Sequence, residues 1–211
     1  MKNIIWAGLN WLRIGGPIQL AIAGYMLQTG WLRSYYSKRS VNKQGNPIPW
    51  ITYPALKFVA EKIHPEHRVF EYGSGGSTRW YADRVKTIIS VEHEAAWFKI
   101  VQDMGLPAHV QLLQRGLDQG YAEAILEQKG EFDLIIIDGR QRNACLRAAL
   151  QKVSPQGIIL FDNSEVPGYA ESHFLMEKEG YKHLHFWGMV AITPGESCTT
   201  IFYRPNNCFD I

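Results

Sequence analysis

Short apolar runs alternate with helical patterns from residue 68 onward, which predicts a parallel sheet whose strands are joined by crossover helices. Five strands are expected, at residues 68–72, 87–92, 109–114, 132–138 and 157–162. Helices are expected between them, at residues 78–85, 94–104, 121–129 and 142–153. Because residues 134–137 are apolar without alternation, this strand is expected to be covered on both faces and to lie centrally.

The two ends of this pattern predict further elements. Near the carboxyl terminus, two strand-like runs at residues 181–192 and 198–204 flank a turn at 193–197, which predicts an antiparallel hairpin. Before the first strand, residues 53–63 place apolar side chains on one helical face and are followed by His64 and Pro65. We therefore expect a helix that ends near His64.

The segment from Ile14 to Leu32 contains no charged residue and is about long enough to span a bilayer. Glycine, proline and glutamine dilute its apolar character, and helical spacing instead predicts an amphipathic helix. Such a helix can pack on the domain or lie on a membrane surface, and a spanning helix is the third alternative. Because a basic, turn-rich run follows, we expect residues 1–46 to form a helical extension and linker, and 47–211 to form one domain.

Charge and cysteine content narrow the choice of partner. With 22 Lys and Arg against 20 Asp and Glu, the chain has no net field that favours nucleic acid, so a small molecule is the expected partner. Three widely spaced cysteines fit neither a disulfide framework nor a zinc site. We therefore expect a cytoplasmic location, membrane-peripheral if the amino-terminal helix lies on a bilayer.

A glycine-rich loop follows the first predicted strand. Glycine permits positive φ and close approach of a ligand to the backbone, and the next helix begins directly after the loop. Glu92 ends the second strand, nineteen residues after Gly73, where a carboxylate can accept hydrogen bonds from a ribose. A dinucleotide fingerprint needs a third glycine at position 78, which is threonine here. The candidate cofactor residues at this loop and strand end are Glu71, Gly73, Ser74, Gly75, Ser77, Thr78, Glu92 and His93.

This arrangement of two acids around Gly-x-Gly resembles the class I S-adenosylmethionine-dependent methyltransferases. The resemblance implies that Glu71 lies near the methionyl part of the cofactor, that the glycine loop passes beneath it, and that Glu92 holds the ribose. Other segments look like a bacterial methyltransferase family of similar length: residues 30–34, 49–55, 91–94, 137–140, 161–164 and 200–204. The family implies a three-layer, Rossmann-like α/β fold with a seven-stranded, mostly parallel sheet and an antiparallel last strand.

Two acids end successive strands where ligands bind in open parallel sheets. Asp138, Asp162 and Asn163 are therefore the candidate catalytic residues, and Asp138 is also expected to contact the cofactor. They resemble the magnesium site of catechol-type and macrocin-type O-methyltransferases. The alternative is that Asp138 binds loop amides while Asp162 and Asn163 form an Asx turn.

The remaining candidates line the expected cleft. Arg140 and Arg142 can bind a carboxylate or phosphate on the acceptor, or can simply begin a helix. Tyr53 and Trp50 can cover the cofactor, whereas Trp80 and Trp97 are expected in the core. The adenine is expected near Gly116 and Leu117.

The resulting hypothesis is methyl transfer from S-adenosylmethionine to a hydroxyl of a small molecule or sugar. Two alternatives are an NAD(P)-dependent oxidoreductase and a nucleotide-binding protein without catalysis.

Overall fold

The computed structural model describes residues 2–211, so Met1 of the predicted extension lies outside the described residues. The helices are α1 (Lys2–Trp11), α2 (Gly15–Ile22), α3 (Tyr25–Thr29), α4 (Trp31–Ser37), α5 (Tyr53–Lys62), α6 (Gly76–Ala82), α7 (Ala95–Gln102), α8 (Arg142–Ala149) and α9 (Ala170–Lys178). The strands are β1 (Arg68–Tyr72), β2 (Thr87–Glu92), β3 (Val110–Gln114), β4 (Phe132–Ile137), β5 (Val153–Phe161), β6 (Lys182–Met189) and β7 (Glu196–Tyr203).

All seven strands form one sheet in the order β3-β2-β1-β4-β5-β7-β6. The first five are parallel, and β7 runs antiparallel to both β5 and β6. As the unbroken apolar run predicted, β4 lies fourth of seven, and Leu134–Ile137 are buried. The sequence-based prediction of the fold class is confirmed.

Alternate residues of each central strand enter different cores on the two sides of the sheet. Phe70 and Ile135 face one core, whereas Val69 and Leu134 face the other. This two-residue period is that of a pleated strand buried on both faces. The sheet is thus the middle of three layers.

Two predicted helices differ from the structure. The helix predicted at residues 121–129 is only a 3₁₀ turn at Ala122–Ile125, because only its first residues are buried and Gly130 then turns the chain toward β4 with φ of 72°. The helix expected across Ile14–Leu32 is divided into α2, α3 and α4. At Gly30 (φ 80°) the backbone of Asn42 and Lys43 comes so close that a Cβ would lie 2.4 Å from it.

We call residues 2–29 the N-terminal arm. Its first helix, α1, was not predicted from the sequence, and neither was α9 near the carboxyl terminus. No helix within residues 2–211 is long and apolar enough to cross a membrane. The arm contacts the rest of the protein through Tyr25, whose ring packs edge-on against Tyr53. Soon after the arm, the indole N–H of Trp31 donates to Thr193 O at 3.0 Å.

The carboxyl ends of β1, β2, β4 and β5 meet at one edge of the sheet. Between β1 and β4 the strand order reverses direction, because β2 and β3 lie on one side of β1 and β4 and β5 on the other. Open parallel sheets bind their ligands in the crevice at such a reversal. The loops that follow these strands therefore define where a site is expected.

Candidate functional site

Two glycines bring the loops after β1 and β4 into backbone contact. Gly73 has a φ of 91°, and a Cβ there would lie 2.9 Å from Gly139 Cα. A Cβ on Gly139 would in turn lie 1.9 Å from the hydroxyl of Tyr121, a fully buried side chain. The amide of Gly73 donates to Val91 O at 2.9 Å, which ties the loop to β2 as well. Glycine is therefore required where the three strand ends converge.

Glu71 supports the loop from below. Its Oε2 accepts hydrogen bonds from Thr78 Oγ1 at 2.5 Å and Ser90 Oγ at 2.6 Å, and Thr78 Oγ1 also accepts from Gly75 N at 3.0 Å. Glu71 Oε1 is buried without a partner among residues 2–211. Burial raises the pKa of the Glu71 carboxyl to about 7. Glu71 and Thr78, both predicted to contact a cofactor, are fully buried and do not line the cleft described below.

Glu92 closes the other side of the loop and is 3% exposed. Its Oε2 accepts from the amide and hydroxyl of Ser74, both at 3.1 Å. Its Oε1 accepts from the amides of His93 at 2.8 Å and Glu94 at 2.9 Å. A carboxylate has about four acceptor positions, so the protein itself fills them. Of these donors only the Ser74 hydroxyl can rotate away without moving the backbone.

Arg142, at the start of α8, links the ends of β4 and β5. Its guanidinium donates to Gly139 O at 2.9 Å, to Asp138 Oδ1 at 3.1 Å and, in a shorter contact, to Asp162 O. The side chain is only 9% exposed. The expectation that Arg142 binds an anionic acceptor is therefore corrected, because its donors are committed to these strand ends. Arg140, by contrast, is exposed and makes no side-chain hydrogen bond within residues 2–211.

Asp138 and Asp162 differ in what they offer to a ligand. The Asp138 side chain is 23% exposed, whereas Asp162 is buried and its Oδ1 accepts from Thr199 Oγ1 at 2.6 Å. Burial, with the negative charge of Asp162 nearby, raises the pKa of the Asp138 carboxyl well above its ordinary value, although Arg142 opposes this. Burial likewise raises the pKa of Asp162 to about 6.

These three side chains, which the resemblance assigns to a magnesium site, are paired with protein groups in this structure. The Arg142 cation lies against Asp138, and Asn163 uses its amide N–H to donate to Ser197 Oγ at 3.0 Å. Within residues 2–211 no three His, Cys, Asp or Glu side chains form a group that could hold a metal ion. Asn163 instead adopts a left-handed turn, with φ of 49°.

A cleft of about 1680 Å³ opens over these loops. This exceeds the roughly 300–1,000 Å³ of a typical single-ligand pocket, so a cofactor and a second small molecule can fit together. Most of the predicted site residues line it: Gly73, Ser74, Gly75, Ser77, Glu92, His93, Asp138, Arg140, Arg142, Asp162 and Asn163. Trp50, predicted to cover the cofactor, also lines it and is 46% exposed.

Three predicted contacts lie elsewhere. Tyr53 is in the core beneath the N-terminal arm, because it begins α5 and packs against Tyr25. Gly116 and Leu117 do not line the cleft. Their turn is closed by the Gln119 amide on Gly116 O at 2.9 Å, and Gln141 Nε2 donates to Leu117 O at 3.1 Å, which holds the turn beside the start of α8.

Two walls of the cleft are formed by residues that the sequence did not indicate. Trp97, expected in the core, is 39% exposed, and its indole N–H donates to Ser74 O at 2.8 Å. Arg33, Lys38 and Arg39 also line the cleft, although they belong to the segment interpreted as a surface connection. Their concentration in one short run was the available signal.

Comparison with known proteins shows what these residues resemble. A sequence-family profile described as a methyltransferase domain (Methyltransf_24) matches residues 70–164, which span β1 to the loop after β5. Residues 70–164 are therefore similar in sequence to this family of methyltransferase domains. This segment contains the glycine loop, Glu92, Asp138 and Asp162, so the match covers the centre of the cleft. A search of curated protein sequences gave no significant match.

Solved structures share the class I methyltransferase fold with this chain. A proposed O-methyltransferase from Klebsiella pneumoniae is 20% identical, with a TM-score of 0.56 over 96% of this chain and 99% of that one. The O-methyltransferase TomG from Streptomyces achromogenes, solved with SAM, is 13% identical, with a TM-score of 0.57 over 88% and 92%. A precorrin-6y C5,15-methyltransferase from Geobacter metallireducens is 12% identical, with a TM-score of 0.60 over 72% and 87%. At these identities the likeness concerns the fold.

Proposed function

We propose that this methyltransferase domain binds S-adenosylmethionine across the Gly73 loop and transfers its methyl group to a hydroxyl of a small molecule, which includes sugars. The observation that carries the proposal is the position of the glycine loop. It lies at the reversal of strand order, between Glu92 on one side and Asp138 on the other, in a domain that matches a methyltransferase family. O-methyltransferases with the same fold support a hydroxyl acceptor.

The residues around the loop suit this cofactor. Glu92 can accept from ribose hydroxyls when the Ser74 hydroxyl turns away, since the backbone donors continue to hold the carboxylate in place. Trp50 and Trp97 offer aromatic faces to the cleft, and such faces attract a cation such as a sulfonium. S-adenosylmethionine, when bound, supplies a methyl group on positively charged sulfur.

On the acceptor side, Asp138 is the best placed base. It is partly exposed in the cleft, and because burial raises its pKa, its ionised form is a stronger proton acceptor than an ordinary carboxylate. It can take the proton that a hydroxyl loses as its oxygen is methylated, while Arg142 keeps the carboxylate oriented. Asp162 and Asn163 help to shape the wall through Thr199 and Ser197. Arg140 is available for an acidic group on the acceptor.

A nicotinamide-dependent oxidoreductase is the alternative with a related fold. The third glycine of its fingerprint is replaced by Thr78, which is fully buried and whose hydroxyl binds both Gly75 and Glu71. This side chain fills the space that the fingerprint keeps open for close helix packing. The arrangement therefore favours the methyltransferase.

Isothermal titration with S-adenosylmethionine and with NAD tests the proposal directly. We expect S-adenosylmethionine to bind and NAD not to bind, and Glu92→Gln to weaken cofactor binding by about 1–3 kcal/mol, because one acceptor oxygen is replaced by a donor. Glu61→Gln removes the same charge from an exposed side chain of α5 that does not line the cleft, and it should leave affinity nearly unchanged. NAD binding without a response to S-adenosylmethionine would refute the assignment. Transfer of labelled methyl groups across a panel of hydroxylated metabolites then identifies the acceptor.

A further inference from the structure

The N-terminal arm exposes an unusual concentration of apolar side chains. Nine of the nineteen exposed large hydrophobic residues within 2–211 lie in it: Ile4, Ile5, Trp11, Leu12, Ile14, Leu20, Ile22, Tyr25 and Leu27. Between Ile4 and Ile22 only Gly15 is buried, and no residue there belongs to either core. Exposed apolar patches of this kind mark interaction surfaces.

Four exposed apolar residues lie along one side of α1 and the turn that follows it. Ile4 and Trp11 are seven residues apart, as are Ile5 and Leu12, which comes directly after α1, so the four side chains repeat over two helical turns. Trp11 is 83% exposed and Ile4 78% exposed. Gly8 lies between them on the same face, and a Cβ there would meet no atom within 4 Å. This face of α1 is therefore open to a partner.

The charge of residues 1–60 indicates which kind of partner binds the arm. Residues 1–60 contain seven Lys or Arg and no Asp or Glu, whereas the remaining 151 residues contain 15 Lys or Arg and 20 Asp or Glu. Arg13 lies between α1 and α2, and Arg33, Lys38, Arg39 and Lys43 follow the arm, all exposed. A partner of this surface must therefore bind exposed apolar side chains and must also complement positive side chains that no acidic residue neutralises.

We propose that the N-terminal arm docks on the surface of an anionic lipid bilayer. A ten-residue helix such as α1 is about 15 Å long, which is half the hydrocarbon thickness, so it can lie in the interface but cannot cross it. Isoleucine and leucine then enter the acyl region, and Trp11 suits the headgroup boundary. Lysine and arginine meet the anionic headgroups.

A second copy of the chain is the competing occupant. Most paired copies meet through the same patch on each, which would bring two arms of the same positive charge together. A bilayer offers the opposite charge and an apolar interior at one surface. Since Arg33, Lys38 and Arg39 also line the cleft, docking would bring the cleft mouth close to the headgroups. The proposal does not depend on which methyl acceptor the cleft binds.

Sedimentation with vesicles tests the docking of the full chain. We expect binding to phosphatidylcholine vesicles that contain phosphatidylglycerol, weaker binding to phosphatidylcholine alone, and loss of binding as salt is raised, because salt screens the charge attraction. Trp11→Ser should lower the partition coefficient about tenfold or more, because a large apolar side chain no longer leaves water. Trp187→Ser, on the exposed face of β6, should leave it unchanged.

Charge-reversal substitutions provide a second pair of test and control variants. Arg13→Glu should weaken binding to the anionic vesicles severalfold, whereas Lys178→Glu, at the exposed end of α9, should not. Equal binding by wild type and Trp11→Ser, or equal binding to neutral and anionic vesicles, would overturn the proposal. So would a dimer that Trp11→Ser dissociates, or a Trp11→Ser protein that fails to fold, since either result would mean that protein covers this face.

Discussion

The N-terminal arm and the ends of the central strands are opposites in how their side chains are used. At the strand ends, the Arg142 guanidinium donates hydrogen bonds to two neighbouring loops. Gly139 lies so close to Tyr121 that a Cβ would not fit. In the arm, Trp11 is 83% exposed, and Gly8 has open space around it. The strand ends are thus closely packed, whereas the arm is open to solvent.

This contrast in packing indicates where function can reside in the chain. The proposed methyl transfer requires donor and acceptor to be held in line, so the loops of that site need fixed positions before any ligand arrives. The arm contributes almost nothing to the core, so burial cannot account for its apolar sequence. Local stability should accordingly be high at the strand ends and low in the arm. The following substitutions test that contrast.

The largest effect is expected at Arg142. Arg142→Met keeps much of the side-chain volume but leaves carbonyls of two loops and the Asp138 carboxylate without their donor, so it should lower the free energy of unfolding by about 3–4 kcal/mol. Arg147→Met is the matched control, because Arg147 lies on the same helix but makes a half-exposed pair with Glu171. It should cost less than about 1 kcal/mol. Urea denaturation of the two variants measures the difference, and similar losses would mean that Arg142 does not link the loops.

A smaller, pH-dependent effect is expected at Glu71. Its pKa is raised from 4.5 to about 7 by burial, so the folded state holds this proton more tightly than the unfolded state. Its contribution to stability is therefore complete below pH 4.5 and is lost as the pH rises through about 7. Glu71→Gln removes the titration.

Denaturation at about pH 5 and about pH 8 measures this effect. Between these values wild type should lose about 2 kcal/mol more stability than Glu71→Gln. Glu61→Gln, at an exposed position of α5, should behave as wild type. Parallel pH profiles for wild type and Glu71→Gln would contradict the assignment of a buried, proton-retaining carboxyl.

How much the sequence could predict depended on the range of the interactions. The apolar run at Leu134–Ile137 and the spacing from Gly73 to Glu92 are local, and they placed β4 centrally and the glycine loop beside an acid at the cleft. The partners of those side chains are not local. Arg142 reaches the ends of two strands, and Trp97 reaches back to Ser74, contacts that no spacing along the chain encodes.

The arm illustrates the same limit. An uncharged run from Ile14 to Leu32 satisfied the pattern of one amphipathic helix, and a glycine inside a helix costs only about 1 kcal/mol. Gly30 nevertheless ends α3, because the backbone of Asn42 and Lys43 lies so close to it that a Cβ would be only 2.4 Å away. Only the folded arrangement of residues 30–43 decides that break.

The smallest effect is expected at Gly8, and its smallness is informative. Alanine favours a helix over glycine by up to about 1 kcal/mol, and the added methyl at this position meets nothing. Since α1 carries no core residue, Gly8→Ala should increase helix content measured by circular dichroism while changing the free energy of global unfolding by less than about 0.5 kcal/mol. The identical change at Gly139, where the methyl would meet Tyr121, is the comparison and should destabilise by about 2 kcal/mol. Destabilisation of similar size at Gly8 would show that the arm is packed against protein and would remove the contrast between the two regions.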